Sequence, residues 1–149
     1  MAYDPTNVPN WLDIEAEFDL SGDHDFAVAT SIKAGLVQLS RSGGGFQTGS
    51  VGTADGSTFV GAGNKQPETF TIRAVYTDGE TTDDWETLKT AEGQKVAFRY
   101  QPKGAGVGNR FHVVKGILTQ VTSPTPDGVG PFVYDANVYG MESFEAEQA

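Results

Sequence analysis

Apolar and polar residues alternate strictly near the start of the chain. Leu12, Ile14, Ala16, Phe18 and Leu20 take one side, and Asp13, Glu15, Glu17 and Asp19 take the other. A period of two predicts a strand with one buried face, because successive side chains leave opposite faces of the pleat. Five more segments read as strands. Residues 26–40 are clearest at Leu36, Val37 and Leu39. Phe70, Ile72, Ala74 and Tyr76 alternate with Thr69, Thr71, Arg73 and Val75. Val96, Phe98 and Tyr100 alternate with Lys95, Ala97 and Arg99. Residues 110–121 are apolar on both sides at Phe111, Val113, Val114, Ile117 and Leu118, which suits a central strand. Residues 132–140 form the last strand, and an acidic tail, 141–149, follows.

Between the strands the pattern breaks in two ways. Residues 41–67 hold eight glycines with Ser and Thr between them, and read as one long loop. Its sparse apolar residues, Phe46, Val51, Phe59 and Val60, are poor linker residues, so a surface that docks stands beside a plain flexible loop. Residues 78–93 carry the one helix signal. Thr81 or Thr82 can cap it, Asp83, Asp84 and Glu86 suit the dipole of its first turn, Trp85 and Leu88 share a face, and Gly93 ends it. Residues 1–10, with two prolines and no period, read as an extended arm. The expected fold is mainly β: a β-sandwich or rolled antiparallel sheet with one short flanking helix and a long loop between the second and third strands. All of it falls in a single domain spanning 1–149.

Composition narrows the function. The chain has 149 residues, no cysteine, 10 basic and 20 acidic residues, and a net charge of −10. That charge disfavours binding to free nucleic acid or an anionic membrane. Absence of cysteine removes disulfides and thiolate metal sites. The first residues show neither a basic nor an apolar leader segment, which predicts synthesis and folding in a cytoplasm. Asp23-His24-Asp25 is a possible metal site but lacks the spacing of a complete ligand set. His112 reads as a core or interface histidine, and Gly104 to Gly108 lacks the ending of a phosphate-binding loop. No catalytic residue, metal or cofactor is expected.

Charge is segregated along the chain. Residues 11–25 hold six acids and no base, residues 78–92 hold six acids and Lys89, and residues 93–126 hold five bases and no acid. A basic hairpin stacking nucleic acid on Phe98, Tyr100 and Phe111 is one reading, although those aromatics fall on core-facing positions. Solvated faces with no partner are another. The third is that Asp83, Asp84 and Glu86 meet Arg99, Lys103 and Arg110 across a repeated contact between copies.

An ordered set of segments resembles the tail tube (major tail) proteins of long-tailed, non-contractile phages. It comprises Trp11-Leu12-Asp13-Ile14, Lys65 to Tyr76, Asp83 to Leu88, Val96 to Gly104, and Val133 to Gly140. The resemblance implies a structural virion protein that builds stacked hexameric rings, made in the host cytoplasm and placed in the virion tail. Its partners would be further copies of itself, tape-measure protein, and tail-tip and terminator proteins. Genome DNA would pass through without specific binding, and no membrane would be involved. The long loop would pack ring on ring through Phe46, Val51, Phe59 and Val60. Thr69, Thr71 and Arg73 would face the lumen, because the family places the strand after the loop in the inner barrel. Asp13, Glu15, Glu17 and Asp19 are the alternative lumen face. Alternatives of other classes are a head–tail joining or capsid decoration protein, and a carbohydrate-binding β-sandwich.

Overall fold

The structure, a computed structural model, describes residues 9, 11–21, 26, 29–32, 35–77, 84–104, 106–126 and 128–148, without the side chains of Met141 and Ser143. The alternating segment forms β1 (Glu15–Asp19), entered through a single tight helical turn, Trp11–Asp13. The other strands are β2 (Thr30–Ser31), β3 (Leu36–Gly43), β4 (Phe46–Gly52), β5 (Thr58–Lys65), β6 (Glu68–Val75), β7 (Lys95–Gln101), β8 (Arg110–Val121), β9 (Thr125–Pro126) and β10 (Phe132–Glu147). One helix, α1 (Asp84–Thr90), lies between β6 and β7. The fold is mainly β, with antiparallel pairing throughout and one short helix, as the periodicity predicts.

The main sheet runs β2-β1-β7-β8-β10-β6-β3, with β9 on the start of β10. Flat, β6 and β7 would lie about 14 Å apart, because β8 and β10 separate them and strands are spaced about 4.8 Å. Yet Phe70 of β6 and Phe98 of β7 have ring centroids 5.3 Å apart. The sheet therefore rolls onto itself and encloses its apolar face. Phe18, Phe70 and Phe98 sit at the centre, all fully buried, with Phe18 and Phe98 4.9 Å apart. Burying each such ring contributes about 1.5–3 kcal/mol. Arg41 of β3 closes the mouth by donating to the Tyr100 hydroxyl of β7 at 2.9 Å and pairing with Glu68.

β10 makes the roll possible. Its first half pairs with β6, from Val133 opposite Val75 to Gly140 opposite Glu68. From Ala136 to Glu147 it pairs with β8, with irregularities between Asn137 and Val138 and between Gly140 and Glu142. Such irregularities bend and twist a strand.

Several expectations change. The chain has more strands than the six expected. The acidic tail is not a tail: β10 continues to Glu147, held against β8. Only periodicity was available to find that strand, and Glu142, Glu145 and Glu147 disguised it. Asp19 is not on the polar face. It is fully buried, and its carboxylate accepts hydrogen bonds from the Ser21 and Phe26 amides at 2.8 and 2.7 Å, tying down the turn after β1. The arm apart from Pro9, the Asp23-His24-Asp25 segment, Asp83 and the proposed Thr81 or Thr82 cap lie outside the described residues.

Candidate assembly surfaces

The excursion between β3 and β6 is not an irregular loop. Residues 46–65 form a two-stranded ribbon, β4 with β5, hydrogen-bonded to no other strand among the described residues. Every residue of both strands is exposed. Glycine depressed the strand signal in the sequence, whereas pairing with the opposite strand supplies the backbone bonds that propensity does not. The tip is fixed locally. The Thr53 amide donates to the Ser57 carbonyl at 2.8 Å, and the Asp55 carboxylate accepts from the Ser57 amide at 2.9 Å and from the Thr53 hydroxyl. These bonds hold the Asp55 pKa down at about 2, with the Thr53 hydroxyl as the largest cause. At the base, the Gln66 amide donates to Gly45 at 2.7 Å, and Gly43 and Gly44 both sit at φ +83°.

Phe46, Val51, Phe59 and Val60 are 64–74% exposed on this ribbon. Val51 lies opposite Phe59, and Gly49 lies opposite Gly61. An apolar knob therefore sits beside a pair without side chains. Neither glycine needs a positive φ, and a Cβ on either would touch nothing. The chain by itself gives no reason for these glycines, which weaken a strand and commonly mark close approach of another backbone.

The second surface is the outer face of β3, β6 and β10. Register sets Gln38, Ser40 and Ser42 beside Arg73, Thr71 and Thr69, and these beside Asp135, Asn137 and Tyr139. Thr71 donates to Asn137 at 3.0 Å, and Arg73 pairs with Asp135 at 2.9 Å. This face is thus hydroxyl- and amide-rich, with Arg73 paired to its neighbour Asp135. The alternative face is broken up: Asp19 is buried and Glu17 pairs with Arg99.

The charged residues expected to meet across copies fall at separate places in the chain. Arg99 is held by Glu17 and lies 4.5 Å from the Phe26 ring, so it is engaged within its own chain. Asp84 and Glu86 stand on α1, which packs near the end of β8, whereas Arg110 starts β8. A strand of that length separates its ends by about 36 Å. Lys103 lies in the turn before β8. Arg110 also approaches Glu145 and Glu147 at 3.5 and 3.9 Å, which dilutes the basic end.

The nucleic-acid stacking platform is not available, since Phe98 is fully buried and Tyr100 packs on Phe70. His112 stacks on Tyr100, and its buried Nδ1 lies 3.1 Å from Glu145 without hydrogen-bond geometry. Among the described residues no cluster of His, Asp and Glu could hold a metal, and no helix is long and apolar enough to cross a membrane.

No protein-family model and no curated protein sequence matches this chain. Solved structures do. A chain of the PVC extracellular contractile injection system, sheath/tube terminator in extended state, has a TM-score of 0.67 at 16% identity, covering 100% of this chain and 99% of that one. A chain of the PVC sheath–tube complex in extended state also has a TM-score of 0.67, at 13% identity, covering 99% of this chain and 100% of that one. The tube-terminating cap of the anti-feeding prophage gives 0.65 at 16% identity, with coverage of 99% and 95%. A chain of the native gene transfer agent virion gives 0.56 at 17%, with coverage of 95% and 100%. At these identities the likeness is one of fold. It extends to contractile systems and is not confined to non-contractile tails.

Proposed function

We propose that this chain is a structural subunit of a phage-tail-like particle that assembles into rings stacked as a tube, the conduit through which cargo passes. The observation that carries the reading is the fold likeness over nearly the whole of both chains to a sheath–tube complex, together with a projecting ribbon of exposed apolar residues that pairs with no other strand among the described residues. In this reading Phe46, Val51, Phe59 and Val60 pack between successive rings. Thr69, Thr71 and Arg73 line the lumen, and the Arg73–Asp135 pair keeps that wall from trapping phosphates. Asp84 and Glu86 approach Lys103 and Arg110 of another copy, because residues at opposite ends of one strand meet only head to tail. Among the described residues the outer side of β3 and the second half of β10 have no further strand. Two different open edges suit the heterologous contact that closes a ring.

A single capping ring is the second reading, supported by comparable likeness to a terminator and a tube-terminating cap. Negative-stain microscopy of concentrated protein separates the two. Hollow tubes of regular width are expected; isolated rings would favour the cap, and a chain that stays monomeric at every concentration would overturn both.

A further inference from the structure

β7 ends its pairing with β8 at Lys95 opposite Ile117, so the rest of β8 turns a bare edge toward α1. That edge is not left open. The Gly93 amide donates to the Leu118 carbonyl at 2.7 Å, and the Leu118 amide donates to Gln94 at 3.0 Å. Further along, the main chain of Val121 is met on both sides by side chains. Its amide donates to the Glu92 carboxylate at 2.8 Å, and its carbonyl accepts from Lys89 Nζ at 3.2 Å. Lys89 and Glu92 pair with each other at 3.0 Å. The Trp85 indole N–H then reaches the Thr122 carbonyl at 3.0 Å.

One acidic and one basic side chain, three residues apart, thereby copy the donor and acceptor of a neighbouring strand. A single charged residue would satisfy only one of the two groups. Strand edges with free amides and carbonyls recruit other chains, and folded proteins block them with charge or with a covering element. Here the blocked residues are apolar and β-favouring: Leu118 and Val121 are buried, and Ile117 is next to them. Exposed, this edge would be a good template for strand addition.

We propose that α1 and its C-terminal turn are an edge guard, with Lys89 and Glu92 preventing a second chain from adding a strand at Val121. The guard confines association to other surfaces of the subunit. The inference is independent of the tube reading, since it concerns what the free chain is kept from doing.

The test compares the full-length parent with the Lys89→Ala/Glu92→Ala variant by amide hydrogen exchange and light scattering across a range of concentrations. In dilute solution the Val121 amide should exchange about tenfold faster in the variant, with the core amides of Phe70 and Phe98 unchanged. At high concentration the variant should form thioflavin-binding aggregates in which Val121 regains protection, while the parent does not. Unchanged exchange at Val121 overturns the proposal, and so does fast exchange without added association. Should the double variant not fold, Glu92→Ala alone removes the acceptor of the Val121 amide, and the same two readouts apply. Absence of tubes in the parent would count against the proposed function and leave this comparison intact.

Discussion

Gly116 of β8 lies opposite Gly140 of β10 so closely that a Cβ on Gly116 would stand 2.1 Å from the Tyr139 carbonyl oxygen and 2.7 Å from the Gly140 Cα. The two backbones touch where β10 bends, beside the irregularity at Gly140 and Glu142. The contacted atoms are main chain and cannot rotate aside. Gly116→Ala should cost about 3 kcal/mol or more. Gly49→Ala, where a Cβ meets nothing, should leave the free subunit unchanged or stabilise it by up to about 1 kcal/mol. Chemical denaturation of both variants checks the contrast; equal midpoints would mean that β8 and β10 do not pack this tightly.

The ribbon should be separable from the body. Gly45 and Gln66 are hydrogen-bonded neighbours at its base, so deleting 46–65 and joining them directly closes the gap. The deleted chain should keep its cooperative melting and lose the ability to form tubes. Tubes of normal length from the deleted chain would show that the ribbon takes no part in stacking.

Trp85 anchors α1 by an edge-to-face contact with Tyr76, ring centroids 5.6 Å apart, and by its bond to Thr122. It is half-buried and packs against the rim of the hydrophobic core. Trp85→Ala should cost about 2–3 kcal/mol, below the range for a fully buried tryptophan. Trp85→Phe should cost about 1 kcal/mol, mainly the lost hydrogen bond. If thermal melting shows the two variants equally destabilised, the ring contact contributes little.

Acid should weaken the Lys89–Glu92 guard late. The Val121 amide, and then Lys89, hold the Glu92 carboxylate below its ordinary value of 4.5. Because the folded pKa is the lower one, this contribution is fully present above the ordinary value and is lost as pH falls through the folded value. The stability difference between parent and Glu92→Gln should therefore be constant near neutrality and shrink as pH falls below the ordinary value. Denaturation series at several pH values measure it, and a gap that widens in acid would contradict the assigned partners.

Sequence alone determined the strands that carry a clean period of two and the apolar rows they bury. Phe18, Phe70, Ile72 and Phe98 fall on their alternating apolar rows and are all in the core. It also determined the short helix at Trp85 and Leu88, because those signals are local: a period of two, a spacing of three, a terminal glycine. Tertiary structure alone decided the rest. The ribbon needs β4 to find β5, and no propensity shows in a glycine-rich run what cross-strand bonding will supply. Glu142 to Glu147 become strand because β8 offers an edge. Asp19 is buried because the turn beyond it presents two amides. Arg73 is paired with Asp135, sixty-two residues away in the chain and adjacent in the sheet. Pairing partners are set by how the whole sheet rolls, and the energy of a buried carboxylate, a strand edge or a charged wall depends on those partners rather than on the residue itself.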